Sequence, residues 1–410
     1  MTVFLKKDTQ FLSDKEIKIT GSKSESNRLL ILQAMYPNLS LENVSDSDDT
    51  LILKKALRTK EAIIDVRHAG TAMRFLTAYF STCEGRSITI TGSERMRQRP
   101  MGVLVKALRD LGADIIYQGV EGFPPLKIHG KKIQKKTVSV DASVSSQYIT
   151  ALMLIAPSLP KGLVIHLEDR TTSASYIKMT LSLLNEIGVN CRYTAHKIEI
   201  DPTEKIADCN IEIESDWSSA SYFYSCVALG DHGSITLKNF NKDSRQGDSS
   251  LVSIYENLGV TTTFDALNHS ITLSKNKNEL LEILKIDLVD TPDIAQSIAV
   301  TCFGLKIPCI LTGLHTLKIK ETDRLIALKT QLEQLGAEVT ITNSTISVLP
   351  AANIHSNCII ETFEDHRMAM AFAPLALKVP IHISNPKVVT KSFPSFWEDL
   401  QKAGISAQFQ

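Results

Sequence analysis

The sequence carries no excess of either charge, no close cysteine pair and no long apolar run, and each absence removes a class of function. Lysine plus arginine and aspartate plus glutamate both number 45 among 410 residues. A general nucleic-acid surface needs a basic excess to neutralise phosphates, so only a local basic cleft for a small anion is left open. The seven cysteines are odd in number, and none stands at C-x-x-C spacing. That argues against a zinc site or a disulfide framework and for reduced, mostly buried thiols. No run reaches the ~18 apolar residues of a spanning helix. The opening MTVFLKKDTQFLSD has no signal-peptide core and no Arg/Ser-rich leader. The expectation is a cytoplasmic enzyme or binding protein, with no membrane and no nucleic acid.

What is present is ordinary in composition, at 43% apolar and 22% charged, and long enough for two or three well-cored domains. One pattern recurs: an apolar helical stretch, a glycine, then a strand-like stretch. It closes at Gly112, Gly188, Gly259, Gly336 and, more weakly, Gly404, with spacings of 76, 71, 77 and 68 residues. A glycine there suits the left-handed end of a helix. After Gly336, residues 337–350 alternate as a half-buried hairpin does. Self-similarity at this period suggests roughly six α/β units. No low-complexity linker divides the chain. The best boundary lies in IEIESDWSSASYF, where a strand pattern ends at Glu214 and a helix begins near Ser218, capped by Asp216 or Ser218.

Several predicted helices are apolar on nearly every side yet open with polar turns. They start at Gly70-Thr71, at Ser145-Ser146-Gln147 and at Asp365-His366-Arg367. A fourth, amphipathic helix is predicted to start at Lys320-Glu321-Thr322, with Thr322 as its cap. Ordinary capping explains any one of them. A buried helix with a polar first turn also offers unpaired N–H groups and a positive dipole end, a natural anion site. Basic residues recur at such places: Lys23 and Arg28 in TGSKSESNRLLILQA, Arg95, Arg97 and Arg99 in ERMRQRP, and Lys391 in TKSFPSFW. The first of these lacks the P-loop spacing.

Together these segments resemble the 5-enolpyruvylshikimate-3-phosphate synthase family. G-S-K-S-x-S-N-R (21–28), A-G-T-A-M-R (69–74), R-M-x-x-R-P (95–100), S-S-Q (145–147), K-E-T-D-R-L (320–325), D-H-R-M-A-M (365–370) and the Lys391 segment occur in the family's order. The resemblance implies an α/β fold of two lobes, each an inside-out barrel of three βαβαββ units with buried helices. It implies one lobe of roughly 1–19 plus 217–410, another of roughly 20–216, and an active site in the cleft between them.

The same resemblance implies the reaction: the enolpyruvyl group of phosphoenolpyruvate passes to the 5-hydroxyl of shikimate 3-phosphate, on the way to chorismate and aromatic amino acids. No metal or organic cofactor is implied, and a monomer is. By resemblance, shikimate 3-phosphate meets Lys23, Ser24, Arg28, Ser145, Ser146, Gln147, Ser173, Asp293, Thr316 and Lys320, with Arg28 on its carboxylate. Phosphoenolpyruvate meets Lys23, Gly70, Arg95, Gln147, Arg324, Arg367 and Lys391. Asp293 takes the hydroxyl proton, Glu321 handles the proton at the methylene carbon, and Lys23 and His366 assist. Three positions depart from the family. His68 stands for an asparagine and Phe75 for a frequent proline, which bear on the shape of the phosphoenolpyruvate pocket; Thr316 stands for an asparagine near the shikimate ring. The intact Gly70 leads us to expect sensitivity to glyphosate. Two rivals share the scaffold. An enolpyruvyl transferase acting on UDP-N-acetylglucosamine carries a Cys or Asp in the loop near residues 94–100, and no Cys lies between Cys83 and Cys191. A non-catalytic anion-binding protein would have no use for both Asp293 and Glu321.

Overall fold

A computed structural model describes residues 1–7, 15–143, 145–169, 171–276 and 280–410. It is a mixed α/β protein of several small sheets. The rest of the amino-terminal stretch read above, 8–14, lies outside the described residues. No helix among the described residues is long and apolar enough to cross a membrane. The chain divides into two compact units, Met1–Thr20 with Glu214–Gln410, and Gly21–Ile213.

Among the described residues one sheet pattern is used five times. Ile63–Asp65 runs parallel to Ser87–Thr91, which pairs antiparallel with Leu126–His129, and Asp114–Tyr117 closes the edge as the other arm of a hairpin. Thr137–Asp141, Leu163–Glu168, Lys197–Ile200 and Cys191–Thr194 repeat it. So do Leu284–Asp287, Cys309–Thr312, Ile346–Leu349 and Glu338–Ile341. In the remaining copies the chain termini take part: Lys15–Lys18 supplies the parallel edge beside Ser234–Lys238, and Thr2–Lys7 pairs with both Ile381–Ser384 and Ile405–Phe409. A sixth sheet holds only the parallel pair Leu39–Glu42 and Cys209–Glu212. The parallel step needs a crossover helix and the antiparallel step only a tight turn, which is why the repeat reads strand, helix, strand, helix, hairpin.

The five repeat glycines all have positive φ, between 84° at Gly259 and 108° at Gly112. They stand at helix ends, where an L side chain would be strained. The hairpin expected after Gly336 is present.

Within each unit three helices form the centre. In the unit of Glu214–Gln410, Trp217–Leu229, Ala295–Leu305 and His366–Phe372 pack on one another, and nearly every residue of the three is buried. In Gly21–Ile213 the same place is held by Lys23–Met35, Gly70–Thr82 and Ser146–Ile155. A helix that is apolar all round has no face for water and is stable only when enclosed.

The expected caps are found with one correction. Ser145, Asp216 and Asp365 accept from Gln147 N, Ser219 N and Arg367 N, as N-caps do. The fourth helix is Arg324–Gln334, so Lys320 and Glu321 lie ahead of it, and its cap is Asp323 rather than Thr322. The Asp323 carboxylate accepts from both Leu325 N and Ile326 N, at 3.1 and 3.2 Å. Its charge also complements the dipole, which a threonine hydroxyl does not.

Candidate active site

In the unit of Glu214–Gln410 the expected residues converge on one buried arginine. Arg324 opens its helix with its side chain 2% exposed. Its Nε donates to Asp365 Oδ2 at 2.7 Å, Nη1 to Asp293 Oδ1 at 3.1 Å and Nη2 to Glu321 Oε2 at 2.9 Å. Burial opposes the charge, but Asp365, Glu321 and Asp293 outweigh it and hold the guanidinium above its ordinary range. Further cations complete a lattice. Lys391 Nζ lies 2.6 Å from Glu321 Oε1, Lys320 Nζ 3.5 Å from Asp293 Oδ1, and Arg367 Nη2 3.2 Å from Asp293 Oδ2. Arg367 also donates to the Asp293 carbonyl at 2.9 Å. Asp293 sits on the short turn Pro292–Ile294 before a buried helix, and Arg367 in the first turn of another. Asp293 and Glu321 are therefore two carboxylates held in fixed geometry, with Arg324 bonded to both.

His366 is buried beside Asp365, with Nδ1 3.6 Å from Oδ1. Thr316 is buried in the turn His315–Ile319, and its hydroxyl has no hydrogen-bond partner among the described residues.

In Gly21–Ile213 the expected residues gather at helix starts. Lys23 begins the helix that Ser22 caps, with Ser24 beside it. Its Nζ is 3.5 Å from Asp49 Oδ2. Ser145 caps the helix that Ser146 begins, and the Gln147 side-chain oxygen has no partner among the described residues. Ser173, at φ 54°, precedes Ala174–Glu186 and makes no side-chain cap bond. Gly70 begins its helix after Ala69, which has no side chain to cap with. A Cβ on Gly70 would lie 2.6 Å from Arg99 Nη1 and 2.9 Å from Arg74 Nη1. Arg74 Nη1 donates to the Gly70 carbonyl at 2.8 Å, and two guanidiniums beside the positive end of a helix suit an anion there.

Two residues are placed differently from a simple reading of the motifs. Arg28 is fully enclosed: Nε donates to Thr180 Oγ1 at 2.8 Å, Nη1 to Ser24 O at 2.7 Å and Nη2 to Thr150 Oγ1 at 3.4 Å. Burial pushes its pKa down to about 10, against the pull of Tyr176 and Glu25. Arg95 is exposed on the short helix Glu94–Arg97, whereas Arg99 from the same cluster is buried at Gly70. Sequence reasoning named Arg99 only as part of its basic cluster and did not single out Arg74, Asp49 or the Asp365 contact to Arg324. Asp365 was legible as a cap, but nothing in a local pattern pairs it with a residue 41 positions earlier.

Comparisons with known proteins identify the family. Residues 53–400 match the family described as EPSP synthase (3-phosphoshikimate 1-carboxyvinyltransferase). The chain is 44% identical over 394 residues to a 3-phosphoshikimate 1-carboxyvinyltransferase of Bacteroides fragilis, covering 95% of each chain. It is 34% identical over 421 residues to that of Vibrio atlanticus, covering 95% of this chain and 97% of the other. In fold it is similar to the EPSP synthase of Acinetobacter baumannii, with a TM-score of 0.80, 22% identity and all of both chains covered. With the repeated sheets, the enclosed helices and the match over most of the chain in hand, the protein belongs to the EPSP synthase family.

Proposed function

We propose that this chain transfers the enolpyruvyl group of phosphoenolpyruvate to the 5-hydroxyl of shikimate 3-phosphate, releasing phosphate. It is a transferase of the shikimate pathway. The observation that carries the reading is the Arg324 lattice, which fixes Asp293 and Glu321 among four cations.

The chemistry explains why such a lattice is useful. Carbon 2 of phosphoenolpyruvate becomes electrophilic only when carbon 3 accepts a proton. The 5-hydroxyl then loses its proton as the O5–C2 bond forms, giving a ketal phosphate. In the second half, carbon 3 gives up a proton and the C2–O bond to phosphate breaks. Asp293 is assigned to the hydroxyl proton and Glu321 to the carbon 3 proton, with Lys23 and His366 assisting. Fixed cations stabilise the anionic groups through both steps. Arg324, Arg367 and Lys391, with Lys23, Gly70, Arg95 and Gln147, are assigned to phosphoenolpyruvate. Arginine suits this because its fork matches carboxylate and phosphate oxygens.

Ser24, Arg28, Ser145, Ser146, Ser173, Thr316 and Lys320, with Lys23, Gln147 and Asp293, are assigned to shikimate 3-phosphate. Four of the five Arg28 N–H groups go to Thr180, Ser24 O, Thr150 and Tyr176 O, so two-pronged pairing with the shikimate carboxylate requires at least one of these bonds to open. The finer architecture, three βαβαββ units around buried helices in each half, belongs to the same reading, as do a monomeric state and a cytoplasmic location. Full turnover in millimolar glyphosate would remove the expectation of sensitivity that Gly70 supports.

The test is phosphate release from phosphoenolpyruvate with either shikimate 3-phosphate or UDP-N-acetylglucosamine as acceptor. Release with the first alone is expected. Release with the sugar nucleotide alone would overturn the substrate assignment, and release with neither would overturn the reaction.

A further inference from the structure

One buried carboxylate beside the lattice has no part in the reaction above. Asp248 lies in the short turn Gly247–Ser250, 6% exposed, and accepts a hydrogen bond from Ser218 Oγ. The same Ser218 oxygen accepts from Arg367 Nη2 at 3.3 Å. Arg367 in turn holds Asp293 through Nη1 to its carbonyl and Nη2 to its carboxylate. Asp248, Ser218, Arg367 and Asp293 thus form one chain of contacts, with a serine as the second link.

The arrangement is built rather than incidental. Gln246 accepts from Trp217 N at 3.0 Å and donates to Ser215 O at 2.9 Å. Glu214 accepts from Asn241 N at 2.8 Å and from Trp217 Nε1 at 2.8 Å. These bonds pin the loop that carries Asp248 against the start of helix Trp217–Leu229. Enclosing a carboxylate is costly unless its charge or its acceptor oxygens are used. A serine has a single O–H. When a carboxylate takes that proton, the oxygen lone pairs are left to face a donor, here the Arg367 guanidinium. Without the carboxylate the hydroxyl loses the acceptor that fixes its rotamer, and the Ser218 oxygen is no longer held where Arg367 meets it.

The charges that act on Asp248 are those of the site. Burial first, then Asp293, pushes its carboxyl up to about 7, with Asp216 adding to the rise, while Arg367 and the Ser218 bond work against it.

We propose that Asp248 is a positioning residue for the donor substrate: by orienting the Ser218 hydroxyl it fixes Arg367 in the pose that receives phosphoenolpyruvate. This rests on the proposed reaction and on the assignment of Arg367 to that substrate. The contact from Ser218 to a guanidinium is charge-assisted, and losing it should weaken donor binding by about tenfold.

The experiment is steady-state kinetics of the full chain and of Ser218→Ala, Asp248→Ala and the double variant, varying each substrate in turn. We expect the KM for phosphoenolpyruvate to rise about tenfold in each single variant, with the KM for shikimate 3-phosphate and the kcat little changed. The double variant should be no worse than either single one, because both changes break the same chain. Ser218→Thr, which keeps the hydroxyl, should recover most of the loss. Ser218→Ala keeps the inference testable if the Asp248 variants fold poorly. Unchanged donor KM in Ser218→Ala, equal rises for both substrates, or additive effects in the double variant would overturn the inference alone. A parent chain that releases no phosphate would overturn the reaction, and this inference with it.

Discussion

The two units hold their candidate groups in different ways. In Gly21–Ile213 these are largely neutral donors at helix starts, Ser24, Ser145, Ser146, Ser173 and the backbone at Gly70, joined by the cations Lys23, Arg28 and Arg95, of which Lys23 faces Asp49. In Glu214–Gln410 they are mostly charges that neutralise one another: Arg324 with Asp293, Glu321 and Asp365, and Lys391 with Glu321. Neutral donors and helix ends can grip an anion without being able to change its protonation. Carboxylates held among cations can exchange protons in fixed geometry. The contrast suggests that one unit mainly binds and the other mainly reacts.

The largest expected break of this contrast is Asp293→Ala. It removes a group that acts in the transition state, so kcat should fall about a thousandfold or more while both substrates still bind. Loss of shikimate 3-phosphate binding in a titration would instead make Asp293 a positioning residue. Arg324→Ala should act on the fold as well as on turnover. It leaves Asp365, 0% exposed, without the guanidinium that pairs with it, while Asp293 keeps Arg367 and Glu321 keeps Lys391. A cost of about 3–5 kcal/mol is expected in denaturant unfolding; a change under 1 kcal/mol would show that the lattice relaxes.

These two predictions also mark where sequence reading ends. The starts at Ser145 and Asp365 were legible because a polar turn opens an otherwise apolar helix, and the helix ends were legible from Gly112, Gly188, Gly259 and Gly336. Thr322 and Asp323 are adjacent capping residues, and only the backbone path tells which is used. The lattice depends on Asp365 reaching Arg324, and the Gly70 site on Arg99 turning inward while Arg95 turns out. Such pairings are set by packing across the unit and leave no periodic trace. Motif order and the resemblance it supports carried the residue assignments, and periodicity carried only the repeating α/β unit.

On the binding side, Gly70→Ala should raise the KM for phosphoenolpyruvate about tenfold with little change in kcat. The added methyl meets Arg99 and Arg74 at under 3 Å, and both are buried, so the guanidiniums must shift. A kcat loss matching that of Asp293→Ala would blur the division between the units.

The smallest effect concerns Asp248→Asn. Burial and the Asp293 charge push the Asp248 carboxyl to about 7, above its unfolded value of 3.8. Between those values the native state keeps a proton that the unfolded chain has lost, so this group's contribution to stability falls as pH rises. Asn has no such titration. The melting temperature of the variant should therefore gain on the parent's between about pH 4 and pH 7, and the difference should stop growing above that. Parallel curves across the range would show that Asp248 titrates normally.

The central claim is that carbon 3 of phosphoenolpyruvate is protonated and deprotonated by a group of the charged unit. The direct measurement is turnover in D2O, with mass analysis of the enolpyruvyl product. The account predicts deuterium in the product methylene for the parent chain. It predicts that Glu321→Gln slows both incorporation and turnover, whereas Ser146→Ala in the binding unit raises KM and leaves incorporation per turnover intact. A product formed at full rate with no deuterium at carbon 3 would contradict it.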